Sequence, residues 1–245
     1  MFMRVPTQFR QSIRPLALSV LASLLALDAP DAQAQLSGSA GLLSNYLYRG
    51  VTLSDDKPAA RLALNYDGAE GWFAGGQVVT GQLAVETHRS AQWTGYAGYA
   101  QRLPSGLAWE TGVTSYTFSH TPGWNYREVF VGLAGETLSA RLHYSPDYMG
   151  MGERSLYAEV NGGWKLAPRL QAFWHAGSYH SFDNAQSSRH EARLGLATGY
   201  QGWQAQVSLD LTRARAASST DLYGVSTGGG GTWRHQVVLA VARAF

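Results

Sequence analysis

The chain has 245 residues, with 28 Gly, 13 Tyr and 8 Trp but only 15% charged residues, a mixture that suits a surface meeting lipid better than an ordinary soluble domain. A net charge of +2 gives no basic footprint for nucleic acid, and zero Cys excludes disulfides and thiolate metal sites. An exported chain of this length without disulfides must then be held by packing or by sheet closure.

Arg4, Arg10 and Arg14 precede an apolar run from about Pro15 to Leu27, and Ala32-Gln33-Ala34 follows. Cationic, apolar and small-x-small regions in that order predict a secretory signal peptide, residues 1–34, cleaved after Ala34 to leave a mature domain of residues 35–245. A membrane helix is the rival reading, but the run is roughly 13 residues and a spanning helix needs about 18 or more. The remaining 245 − 34 = 211 residues hold no run near that length. If the mature chain crosses a membrane, only a closed barrel satisfies its backbone groups there.

Alternating segments fall at about 36–48, 57–67, 71–80, 91–103, 106–118, 124–134, 137–146, 153–166, 169–181, 189–200, 202–213 and 233–245. Each is long enough for the ~9 to 11 residues of a tilted membrane strand. Short turns at Asp67-Gly68, Pro104-Ser105-Gly106, Gly135-Glu136, Ala167-Pro168 and Gln201-Gly202 alternate with longer loops at 49–56, 81–90, 182–188 and 214–232. The connections near 119–123 and 147–152 are shorter than that alternation favours. The pattern predicts an all-β fold: a closed antiparallel up-and-down transmembrane β-barrel of about 12 strands in a bacterial outer membrane.

Where alternation is clean, the faces separate. Trp203, Ala205, Val207, Leu209 and Leu211 share one face, opposite Gln204, Gln206, Ser208, Asp210 and Thr212. Leu138, Ala140, Leu142 and Tyr144 likewise oppose Ser139, Arg141, His143 and Ser145. Turning Arg193 outward would cost roughly 2–4 kcal/mol near a bilayer midplane, so Arg189, Glu191 and Arg193 belong inside. The segments at 106–118 and 169–181 mix polar and apolar residues on both faces, and their facing stays open. Phe245 ends a strand that steps through Val237, Leu239, Val241 and Arg243. A terminal aromatic residue there resembles the signal read by the barrel-assembly machinery, although Arg243 stands where an apolar residue is usual.

The stretch Leu36–Leu53, LSGSAGLLSNYLYRGVTL, with Ser54, Asp55, Lys57 and Pro58 after it, resembles the opening of the TorF family, proteobacterial outer-membrane proteins regarded as porins. Tyr144-Ser145-Pro146-Asp147-Tyr148-Met149-Gly150 resembles a second block of that family. The resemblance implies an outer-membrane barrel and carries over neither a substrate nor any functional residue.

The candidate site is the lumen. Arg61, Asn65, Gln77, Glu128, Arg141, His143, Glu159, Lys165, Glu191, Arg193 and Asp210 would point inward, and rings of charge select solutes in other pores. The function read from this is passive diffusion of small hydrophilic solutes, with outer-membrane lipid as surroundings and no cofactor. Two other readings stand beside it. Small barrels are often packed by their own side chains, which would make a closed structural or adhesion barrel. His143, Ser145 and Glu159 also suggest a lipid-modifying enzyme. Residue counting, however, sets Ser145 beside Arg154 and leaves Glu159 about 10 Å from His143. His175 and His180 are an odd number apart and cannot share a metal from one strand face. The Gly-rich stretch within 214–232 lacks the helix a phosphate loop needs. Tyr46, Tyr48, Trp72, Trp93, Tyr96, Tyr99, Trp109, Trp164, Tyr200, Trp203 and Trp233 lie mostly near segment ends, as aromatic girdles do.

Overall fold

Twelve antiparallel strands close into one barrel in a computed structural model that describes residues 35–81, 90–183, 188–215 and 233–245. The expected signal peptide and the loop segments 82–89, 184–187 and 216–232 lie outside the described residues. The strands are β1 (Gln35–Leu43), the short β2 (Leu47–Tyr48) and β3 (Val51–Thr52), then β4 (Ala59–Asp67), β5 (Trp72–Gly81), β6 (Ser90–Arg102) and β7 (Ala108–Phe118). β8 (Tyr126–Ala134), β9 (Leu138–Tyr148), β10 (Glu153–Ala167), β11 (Leu170–Ser181), β12 (Ser188–Tyr200), β13 (Trp203–Arg215) and β14 (Trp233–Ala244) complete the chain. From β4 onward each strand pairs with the next, and β1 closes the ring by pairing with both β4 and β14. This is the up-and-down barrel of about twelve strands that the alternation predicts. Among the described residues no helix is long and apolar enough to cross a membrane.

Alternation turns into two surfaces because successive side chains of a strand face opposite ways. Leu138, Leu142, Leu194, Leu196, Val207 and Leu209 are exposed on the outside, while Ser139, Arg141, His143, Ser208 and Asp210 are buried inside. Trp72, Trp164, Tyr200 and Trp203 stand outside near the short-turn end, and Trp93 and Trp233 near the long-loop end. Arg243 also lies outside, its guanidinium 5.5 Å from the centre of the Trp203 ring, so the aromatic belt accommodates its charge. Phe245 seals the seam. Its N–H donates to the Gly38 carbonyl at 3.0 Å and its own carbonyl accepts from Gly38 at 2.9 Å.

The first strand corrects the sequence reading. It ends at Leu43 rather than near residue 48, and residues 45–54 are not an external loop but fold back into the lumen, while 56–58 are exposed. The inward stretch contacts Gln92 on β6, Glu128 on β8 and Thr212 on β13, strands on different sides of the ring. Tyr46, Tyr48, Val51 and Leu53 thereby form the centre of a buried cluster with Tyr116, Tyr126, Tyr148, Tyr157 and Tyr179. Tyr46, Tyr48 and Tyr96 are thus interior residues and not girdle residues.

Candidate functional site: a lumen cavity under an inward hairpin

The hairpin β2–β3 turns over two residues, Arg49 and Gly50, whose φ values of 48° and 75° are both positive. A two-residue turn with both centres left-handed matches the twist of paired strands, and glycine is natural at its second centre. Arg49 is not natural at the first and needs outside support. Glu128 supplies it, accepting from both terminal nitrogens of Arg49 at 2.7 and 2.6 Å in a buried, two-pronged pair. The guanidinium also lies 4.1 Å from the Tyr157 ring centre. Gly50 is pressed against the wall, where an added Cβ would sit 2.6 Å from Thr212 Oγ1.

Polar residues of the same block hold the hairpin's base. Thr52 Oγ1 and Ser54 Oγ donate to Asn45 Oδ1 at 2.7 and 2.9 Å, and Asn45 Nδ2 donates to Asp56 at 2.8 Å. Arg234 on β14 bonds the same Asp56 at 2.8 Å. Burial pushes the hydroxyls of Tyr46 and Tyr48 above the usual phenol range, and they bond Gln92 and the Tyr126 hydroxyl.

Under this roof lies a cavity of about 180 Å³ lined by Arg49, Arg61, Gln77, His143, Glu159, Asn161, His175, Glu191, Arg193, Gln206 and Ser208, among others. Acids and imidazoles alternate along one wall. His143 stands between Glu128 at 3.4 Å and Glu159 at 3.2 Å, and His175 between Glu159 at 3.9 Å and Glu191 at 3.3 Å. Asn161 Oδ1 lies 2.7 Å from His175 Nδ1, and the Tyr157 hydroxyl donates to Glu191. Arg193 pairs with Asp210, and Arg141 with Glu110 at 2.5 Å.

All the residues singled out as pore-lining, Arg61, Gln77, Glu128, Arg141, His143, Glu159, Glu191, Arg193 and Asp210, face the interior. Glu128, Arg141, His143, Glu159, Glu191, Arg193 and Asp210 belong to the ion-pair and imidazole network, whereas Gln77 and Arg61 line the opposite side of the cavity. Lys165 takes the inward register at the open short-turn end, and Asn65 accepts from the Tyr96 hydroxyl.

Residue counting misjudges one distance. A bulge between Glu153 and Ser155 shifts the register, so Ser145 pairs with Ser155 and Glu159 with Arg141. Glu159 becomes the diagonal neighbour of His143, and long side chains span diagonals, hence 3.2 Å instead of about 10 Å. Ser145 does not join them. It is fully buried and its hydroxyl donates to the Arg127 carbonyl at 2.9 Å.

The sequence reading missed Asn45, Arg49 and Glu110, and it weighed His175 only as a metal ligand. Arg49-Gly50 carries a usable signal, since a residue followed by glycine between two strand-forming pairs, Leu47-Tyr48 and Val51-Thr52, is a tight hairpin pattern.

A closed twelve-strand barrel with an apolar outside and a polar lumen narrowed by a hairpin is a porin-type architecture. The KdgM porin superposes with a TM-score of 0.54 at 12% identity over 85% of this chain and 99% of that one. A second KdgM porin structure, in complex with disordered oligogalacturonate, gives 0.51 at 12% identity over 86% and 99%. The NanC porin gives 0.50 at 14% identity over 85% and 99%. Identities this low establish a shared fold. The family model described as a bacterial protein of unknown function, Gcw_chp, matches residues 28–245, and the chain belongs to that family. No curated protein matches it in sequence.

Proposed function

We propose that this protein is a bacterial outer-membrane channel through which small hydrophilic solutes diffuse passively, its lumen narrowed by the hairpin of residues 45–54. The observation that carries the reading is one closed barrel with leucines and valines exposed outside and an ion-paired, hollow interior. Backbone closure and an apolar outer belt suit a bilayer, and the aromatic residues flanking that belt suit its interfaces. Export by the 1–34 signal peptide, delivery to the barrel-assembly machinery through Phe245, and residence among outer-membrane lipids complete the proposal. The likeness of the first block to the TorF family agrees with it.

A closed scaffold is the second reading, favoured by the hairpin itself, because its buried cluster fills much of the long-loop half of the lumen. Single-channel recording separates the two. Protein extracted from cells expressing the full chain, with folding checked by heat-modifiable gel mobility, should give discrete current steps in a planar bilayer. Silence from folded protein would establish the closed scaffold instead.

A further inference from the structure

Most charge in the lumen is matched. Arg49 meets Glu128, Arg141 meets Glu110 and Arg193 meets Asp210. Arg61 is different. It lines the cavity, its Nε is buried with no hydrogen-bond partner, and no carboxylate pairs with it among the described residues. The neighbouring hydroxyls of Tyr46 and Tyr96 donate instead to Gln92 and Asn65. A half-buried cation with an unbonded Nε is favoured by an anion that meets it, and a guanidinium takes a carboxylate in two parallel hydrogen bonds.

With its imidazoles neutral, the facing wall has the opposite excess. β4, which carries Arg61, lies six strands from β10 in either direction around the ring, so Glu159 stands across the cavity from it, with Glu191 nearby on β12. Imidazoles and the Tyr157 hydroxyl contact these two carboxylates, and no Lys or Arg forms an ion pair with either among the described residues. A simple anion drawn to Arg61 would face acids, and a simple cation would face Arg61. A cavity of about 180 Å³ has room for a small organic ion carrying both charges.

We propose that this cavity binds small zwitterions of the amino-acid class, with the carboxylate on Arg61 and the ammonium on the Glu159–Glu191 wall. The biological role of the site rests on the channel reading, but binding is measurable without transport. L-Alanine should raise the thermal midpoint of the detergent-solubilised full-length product saturably. Propionate and L-alaninamide, which each lack one charge, should bind at least tenfold more weakly. Arg61→Gln should lower alanine affinity at least tenfold, with Arg61→Lys intermediate. Should Arg61→Gln fail to fold, Glu159→Gln and Glu191→Gln address the other wall, where alanine should weaken and propionate should not. An unmoved midpoint, equal binding of propionate and alanine, or full affinity in Arg61→Gln or in both wall variants would overturn the assignment. Liposome swelling then tests the channel separately: binding without swelling by alanine or glycerol would remove the channel reading and leave the site standing.

Discussion

Replacing Arg49 with Ala removes one partner of a buried ion pair and leaves Glu128, only 2% exposed, without its cation. Breaking a buried pair this way costs about 3–5 kcal/mol. The low end applies here, because the Tyr116 hydroxyl at 3.3 Å and His143 at 3.4 Å still face the stranded carboxylate. About 3 kcal/mol corresponds to roughly a hundredfold shift between docked and released hairpin, at ~1.4 kcal/mol per factor of ten. The barrel's own ladder does not involve Arg49, so heat-modifiable mobility should survive. The chain has no Cys, so Val51→Cys gives a single thiol at a buried hairpin position. Its maleimide labelling should accelerate by about the same factor, and channel conductance should rise. The double change Arg49→Met with Glu128→Leu keeps bulk without charge and should restore slow labelling. Unchanged labelling and conductance in Arg49→Ala would refute the claim that this pair pins the hairpin.

Gly50→Ala adds a Cβ at φ 75° that would lie 2.6 Å from Thr212 Oγ1, so it should also release the hairpin, while Gly199→Ala, with its nearest contact at 3.6 Å, should leave labelling unchanged. Gly150→Ala should lower the thermal midpoint through the rim alone, because its Cβ would stand 1.8 Å from the Gly123 carbonyl at φ 65°; an unshifted midpoint would contradict that packing. Brominated lipids should quench the fluorescence of Trp72, Trp164, Trp203 and Trp233, all more than half exposed outside, and quenching confined to a water-soluble agent would contradict the membrane belt. Arg154 hydrogen-bonds Asp183 and holds its carboxyl below the usual aspartate range. That contact stabilises the folded state at neutral pH and is lost as acid protonates Asp183. Because this pair lies at the solvent-exposed surface, Asp183→Asn should shift the midpoint far less than Gly150→Ala.

The clean strands were readable because lipid-facing and lumen-facing residues differ in polarity, as at Leu138–Ser145 and Trp203–Thr212. The segments 106–118 and 169–181 were not, for a reason visible inside the barrel. Tyr116, Phe118 and Tyr179 face inward in the hairpin's cluster and Phe173 is buried inside as well, so polarity no longer marks the lumen side there. The first-block residues Asn45, Thr52, Ser54 and Asp56 read as loop polarity, yet they are the bonds that shape an internal element.

Sequence alone determined the barrel class, the approximate strand count and the inward set from Arg61 to Asp210, because strand period and charge burial are local rules that each segment obeys by itself. Only the tertiary structure decided that Arg49 reaches Glu128, 79 residues away, that a bulge brings Glu159 to His143, and that the strand of Arg61 stands opposite the strand of Glu159 across the ring. Those relations depend on closure, shear and register, which pairing among all twelve strands sets and which no single segment encodes.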